Sequence, residues 1–302
     1  MLDQRRLPDE EVELRCASAA EVADAIRTLA VRGAPAIGIA AGYGLALAAE
    51  RGEDLDAAYD VLVSSRPTGV NLRWALDELR HDPTAERARA LHDEEVERCR
   101  RMAQHAVALV PPGARLLTHC NTGGLATGGY GSALGAIRAA RDAGLVEHVW
   151  VGETRPLLQG ARLTAWELEQ LGIPFSVVVD GAAAALMASA EVDAVLTGAD
   201  RIAANGDVAN KVGTYGLAVA ASHHDIPFHV VAPTSTLDPD AATGADIPIE
   251  ERDPREISAR FRARNPAFDV TPATLVAAIV TEVGVHRAPY TASLPTPARA
   301  PS

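Results

Sequence analysis

From Ala114 onward, short apolar runs alternate with stretches of helical character, and no other feature of the sequence restricts the fold as strongly. Arg115 to His119, His148 to Gly152, Phe175 to Val179, Ala194 to Thr197 and Phe228 to Ala232 read as strands, each followed by enough chain for a crossover helix. Such repetition implies a parallel sheet with right-handed crossovers and helices on both faces. The strands end in His119-Cys120-Asn121, Glu153-Thr154-Arg155, Asp180-Gly181, Gly198-Ala199-Asp200-Arg201 and Pro233-Thr234-Ser235. Ligands of open parallel sheets bind outside the carboxyl ends of the strands, so these five clusters are expected to converge on one crevice.

The chain before Ala114 has another rhythm. Val22, Ile26 and Leu29 recur at helical spacing, and a turn follows at Arg32-Gly33-Ala34-Pro35. The small-residue run from Ala36 to Gly44 then predicts close helix packing, with further helices near Asn71 to Arg80 and Thr84 to Ala108. Pro111-Pro112-Gly113 marks a boundary. The expected fold class is therefore α/β: a smaller, mostly helical N-terminal domain over residues 1–110 precedes a Rossmann-like parallel-sheet domain over 111–285. A helix over Pro272 to Val283 is expected to close that domain, leaving 286–302 as a disordered tail.

Composition excludes several classes of function. The net charge of -12 has no basic stripe to offset it, so nucleic acid and anionic membrane surfaces are unfavourable partners. A small phosphorylated substrate stays compatible, because a few local cations can outweigh a distant, screened field. Cys16, Cys99 and Cys120 match neither metal spacing nor a disulfide framework, which suits a reducing cytoplasm. The start Met1-Leu2-Asp3-Gln4-Arg5-Arg6 lacks a secretory apolar core. The longest apolar stretch, near Ala34 to Ala49, is broken by Pro35, Gly38, Gly42 and Gly44, so no membrane span is expected.

The same sequence contains a single lysine, Lys211, among 28 basic residues. An ammonium differs from guanidinium in geometry, hydration and ease of pKa shift, so this position is a site candidate as well as a candidate chance surface lysine. Cys120 follows the first predicted strand and precedes a small-residue turn whose backbone donors could activate the thiol as base or nucleophile; a buried packing role fits equally. Asp200 ends the fourth strand. In a cleft its carboxyl would stay protonated and serve as a general acid, whereas on a surface it would cap a helix or pair with Arg201. For a phosphate, the candidates are the Arg32-Gly33-Ala34 turn, Arg66, and Asn210-Lys211 read as opening a helix. Gly129-Tyr130-Gly131-Ser132-Ala133-Leu134-Gly135 is a poor dinucleotide fingerprint, since it starts nearly ten residues past its strand. His223-His224 reads as a helix C-terminal cap, and no set of residues has metal-ligand spacing.

Taken together, Val31 to Gly38, Arg66 to Leu72, Thr118 to Gly123, Glu153 to Thr164, Gly198 to Gly213 and Ile247 to Arg252 resemble the methylthioribose-1-phosphate isomerases, in consistent order from about Leu2 to Gly284. The resemblance implies conversion of 5-methylthioribose 1-phosphate to 5-methylthioribulose 1-phosphate in methionine salvage, by a homodimer without a cofactor. It implies Asp200 as proton donor, Cys120 as its catalytic partner, and Arg32, Gly33, Ala34, Arg66, Gln159, Asn210 and Lys211 as substrate contacts. Phosphate on the anomeric oxygen blocks simple ring opening, so an acid must protonate the departing ring oxygen. Hydrogen then passes from C2 to C1 as hydride or, through a phosphoenolate, as a proton handled by a base such as Cys120.

The chain departs from the family pattern in four places. It begins at Leu2-Asp3-Gln4 without the short segment that normally precedes this motif, and the loop between Arg255 and Asn265 is short. Gly181 and Val208 replace a typical Asn or Ser and a typical Thr, at or near the predicted crevice. Related enzymes acting on 5-deoxyribose 1-phosphate or ribose 1,5-bisphosphate are the alternative reading. A non-catalytic regulatory subunit of the factor exchanging guanine nucleotide on eukaryotic translation initiation factor 2 is the remote one, because such subunits generally lack the Cys and Asp pair.

Overall fold

The computed structural model describes residues 1–295. Its first part holds α1 (Ala19–Arg27), α2 (Ala34–Glu50), α3 (Leu55–Val63), α4 (Val70–Arg80) and α5 (Ala85–Val107). Side chains of Ser18, Asp54 and Thr84 accept from first-turn N–H groups and start α1, α3 and α5. In α2 every position except Glu50 is at least partly buried, and the other four helices pack around it. Gly38 permits this approach, since a Cβ there would lie 2.7 Å from the Asn71 carbonyl oxygen of α4.

The sheet domain contains β1 (Ala114–Thr118), α6 (Gly124–Thr127), α7 (Ala133–Asp142), β2 (Val146–Gly152), α8 (Ala165–Gln170), β3 (Phe175–Val178), α9 (Ala183–Ala188) and β4 (Ala194–Thr197). It continues through β5 (Arg201–Ala203), β6 (Val208–Lys211), α10 (Thr214–His223), β7 (Phe228–Val231), β8 (Leu237–Asp238) and β9 (Phe268–Thr271). It ends with β10 (Ala278–Thr281), β11 (Gly284–His286) and α11 (Tyr290–Ser293). Seven strands run in the order β11-β10-β7-β4-β1-β2-β3, all parallel except β11. The order reverses at β1, with β2 and β3 on one side and β4 on the other. A doubly wound sheet opens its ligand crevice at such a switch point. Apolar side chains cover both faces, one core gathering around α7 and the other around α9 and α10. Cys99, Met102 and Ala106 of α5 belong to the α7 core, so this helix joins the N-terminal helices to the sheet.

Three expectations are corrected. The segment Pro272 to Val283 is a 3₁₀ turn, Ala273–Leu275, followed by the sixth parallel strand, β10, instead of one helix. Its continuous apolar run carries no period that separates a buried strand from a buried helix. The expected tail from residue 286 is built into the fold as far as residue 295. Gly284–His286 pairs with β10, and Tyr290 is buried against Gly206 and donates its hydroxyl to the Val276 carbonyl at 2.8 Å. The rest of that tail, 296–302, lies outside the described residues. The third correction concerns a second sheet, β8-β5-β6-β9, absent from the sequence reading. It makes Asn210-Lys211 the end of a strand.

Replacing Tyr290 by phenylalanine would leave the Val276 carbonyl without its donor. The expected loss is about 1 kcal/mol, read as a lower urea midpoint at unchanged slope. An unchanged midpoint would mean that this hydrogen bond adds nothing to the fold.

Candidate active site

The crevice opens over the switch point, between the ends of β1 and β4 and the turn before α2. All nine residues singled out from the sequence line it: Arg32, Gly33, Ala34, Arg66, Cys120, Gln159, Asp200, Asn210 and Lys211. The space inside it is about 720 Å³ when the solvent-filled mouth is included. The five strand-end clusters do not all reach it. Those after β1 and β4 do, and the loop after β2 contributes Leu157 and Gln159. Asp180 after β3 acts from behind, accepting from the N–H groups of Thr154 at 2.8 Å and Arg155 at 2.7 Å. Thr234 and Ser235 after β7 line a separate groove beside Trp74 and Arg98.

Cys120 occupies a left-handed backbone conformation, φ +61°, directly after β1. Its N–H donates to Thr154 Oγ1 at 2.8 Å and its carbonyl accepts from Thr164 Oγ1 at 2.7 Å. Thr154 and Leu158 also have positive φ, +65° and +56°. Non-glycine residues held this way carry strain that the surrounding bonds must offset, and such strain clusters at functional sites. The chain then forms a five-residue π-helix, Gly160–Thr164, immediately after Gln159.

Asp200 lies across the crevice with part of its surface open to it and protein on its other sides. That burial raises its carboxyl pKa, against the pull of Lys211, Arg66 and Arg32. Lys211, itself buried, is pushed down by desolvation, opposed by Cys120 and Asp200, and its ammonium lies 5.1 Å from the Phe268 ring centre. The expected helix-opening role of Asn210-Lys211 fails on geometry. Helix α10 starts at Thr214, and the Asp269 carboxylate already accepts from its first N–H groups, Gly213 at 2.7 Å and Tyr215 at 3.0 Å.

The helix start that does face the crevice is that of α2. Gly33 caps it at φ +102°, and a Cβ there would come 2.5 Å from Ala126 Cα, so only glycine fits this turn. Arg32, just before it, grips Asn121 with both terminal guanidinium nitrogens, 2.6 Å to Oδ1 and 2.9 Å to the carbonyl oxygen. Arg66 pairs with Glu250 at 2.8 Å through one nitrogen, while its buried Nε has no partner; Gln159 Oε1 is also buried and unpaired. Both residues line the crevice, while these two atoms are themselves closed off from solvent.

Arg252, Leu157 and Phe268 also line the crevice and were not singled out as site residues. Arg252 ends the Ile247 to Arg252 motif, which was its available signal; the two apolar residues had none. Among the lining residues the cations Arg32, Arg66, Lys211 and Arg252 face the single carboxylate Asp200. This local surplus contrasts with the net charge of -12. The two substitutions that depart from the family pattern lie outside the cavity wall. Val208 is buried in β6, and Gly181 does not line the crevice. Among the described residues, no three His, Cys, Asp or Glu side chains are grouped to hold a metal, and no helix is long and apolar enough to cross a membrane.

The profile of the initiation factor 2 subunit family matches residues 30–288. A methylthioribose-1-phosphate isomerase of Anaeromyxobacter sp. (strain K) is 55% identical over 99% of this chain and 94% of its own. One from Parasynechococcus marenigrum is 52% identical over 96% of this chain and 92% of its own. The crystal structure of 5-methylthioribose 1-phosphate isomerase from Pyrococcus horikoshii OT3 superposes with a TM-score of 0.88 at 42% identity, covering 96% of this chain and 90% of that one. The translation initiation factor eIF-2B subunit delta from A. fulgidus follows the same path, with a TM-score of 0.85 and 39% identity over 98% and 95% of the two chains. The chain belongs to the initiation factor 2 subunit family and, within it, to the methylthioribose-1-phosphate isomerases.

Proposed function

We propose that this crevice isomerises 5-methylthioribose 1-phosphate to 5-methylthioribulose 1-phosphate, with Asp200 as general acid and Cys120 as its catalytic partner. One observation carries the assignment of roles. A carboxyl whose pKa burial raises faces the same cavity as a backbone-clamped thiol, with the cations Arg32, Arg66 and Lys211 around them. The substrate's phosphate would meet Arg32, Arg66, Lys211 and the start of α2 at Gly33 and Ala34. Gln159 and Asn210 would take sugar hydroxyls.

Protonated Asp200 would give its proton to the ring oxygen as the C1–O bond breaks. Hydrogen then moves from C2 to C1 while the C2 hydroxyl becomes the ketone and returns a proton to the Asp200 carboxylate; Cys120 would handle the C2 hydrogen if it leaves as a proton. Leu29, Leu157 and Phe268 supply apolar wall for the methylthio group, which favours this substrate over one bearing a second phosphate. They also exclude water, which would otherwise compete by hydrolysing the phosphate. The homodimer, the absence of a cofactor and the cytoplasmic location expected from the sequence belong to the same proposal. The three free cysteines agree with a reducing compartment.

The test is to incubate the purified protein with 5-methylthioribose 1-phosphate, 5-deoxyribose 1-phosphate and ribose 1,5-bisphosphate and follow ketose formation. The highest kcat/KM is expected for the first, and Cys120→Ser should lower its kcat by about 10²-fold or more. If none of the three turns over, the catalytic reading gives way to a non-catalytic role.

A further inference from the structure

Behind the crevice lies a buried carboxylate that the proposed chemistry does not use. Glu167 on α8 is 9% exposed and forms no ion pair among the described residues. It accepts from Asn121 Nδ2 at 2.7 Å and from the Leu125 N–H at 3.4 Å. A Cβ at Gly123 would sit 2.3 Å from its oxygens, so the turn after Cys120 closes directly over the carboxylate. Thr164 Oγ1 lies 3.2 Å from the same Asn121 nitrogen while donating to the Cys120 carbonyl.

Burial pushes the Glu167 carboxyl pKa up, opposed by the Asn121 amide, the Gly124 and Leu125 N–H groups and the Arg32 charge; facing these donors its oxygens accept, so the amide NH₂ of Asn121 turns toward Glu167. Oδ1 is thereby turned the other way, to the Arg32 guanidinium 2.6 Å off. Without the carboxylate, the amide could reverse and present hydrogens to Arg32, which has no acceptor to offer. We propose that Glu167 is a positioning residue for the substrate's phosphate, acting through the orientation of Asn121 on Arg32. This rests on the phosphate reading of Arg32 given above. Glutamine at 167 would not suffice. With its oxygen toward Asn121 its NH₂ meets the Leu125 N–H, and in the other orientation it forces the Asn121 amide to reverse.

The experiment is a double-mutant cycle on binding of inorganic phosphate, measured by calorimetry for wild type, Glu167→Gln, Arg32→Met and the double variant. Phosphate binding needs no turnover, so the cycle is readable even if all three sugar phosphates prove inert. Glu167→Gln should weaken phosphate binding about tenfold. In the Arg32→Met background the same change should cost less than about twofold, because its target is gone. With turnover, KM should rise by the same factor while kcat stays within about twofold. Should Glu167→Gln fail to fold, Asn121→Ser takes its place in the cycle with the same expected pattern. Equal losses in both backgrounds, an unchanged affinity in Glu167→Gln, or no phosphate binding by wild type overturns the proposal.

Discussion

Asp200→Asn is expected to lower kcat by about 10³-fold, with a melting temperature equal to wild type or higher. Asparagine keeps the size and polarity of the side chain but has no proton to give to a departing ring oxygen. The stability expectation follows from the direction of the pKa shift. Burial holds the Asp200 carboxyl above its ordinary value, so its neutral form is the one the fold favours. A raised folded-state pKa contributes stability below the unfolded value, and that contribution is lost as pH rises through the folded one. Above that point the fold contains an unfavourable charge, which asparagine removes. The same sign applies to catalysis. The acid must be protonated, so kcat of the wild type should fall as pH rises through the raised Asp200 pKa, and Asp200→Asn should lose this limb. Single-turnover rates from pH 5 to 9 and a melting curve decide it; kcat within tenfold of wild type would remove Asp200 from the acid role.

Gly160→Ala should cost about 3 kcal/mol of stability and abolish activity, although residue 160 touches no reacting atom. A Cβ at this position would sit 1.8 Å from the Gly152 carbonyl oxygen and 2.9 Å from Thr154 Oγ1. Neither neighbour is the free end of a flexible side chain. Gly152 is the last residue of β2, and Thr154 accepts the Cys120 N–H. Making room for one methyl therefore moves the π-helix that carries Gln159 away from the strand end that clamps the thiol. Gly181→Ala is the matched control. No atom lies within 4 Å of a Cβ there, so its stability should change by less than about 0.5 kcal/mol. Chemical denaturation of the two variants side by side tests the idea, which fails if both tolerate alanine equally.

Much of the sheet was legible because its strands are short apolar runs with sharp polar ends. All five predicted strands form within two residues of their expected limits. The signal failed where a run lacked punctuation, as with β10, or where strands were too short to show a period, as with β5, β6 and β8. Helix α3 went unread although Asp54 caps it, because its nine residues give only two buried positions, Ala58 and Leu62. Tyr290 shows a different limit. The proline-rich composition around it resembles a tail, and only the space above Gly206 makes it a core residue.

The candidate residues were legible by chemistry and motif; their arrangement was not. Linear order states that Cys120 ends one strand and Asp200 another, and β-α-β repetition places both at the carboxyl edge of a sheet. It was pairing of β1 with both β2 and β4 that put the two on either side of a switch point, since strand order depends on contacts between residues far apart in the chain. The sequence by itself determined the class of fold, the residues available for chemistry and the family. Tertiary structure alone decided that burial raises the Asp200 pKa and that Lys211 ends a strand against Phe268. It also decided that Glu167, 46 residues beyond Asn121, turns an amide toward Arg32. Burial and hydrogen-bond direction arise only when distant segments close around one another, and no local pattern of residue types encodes them.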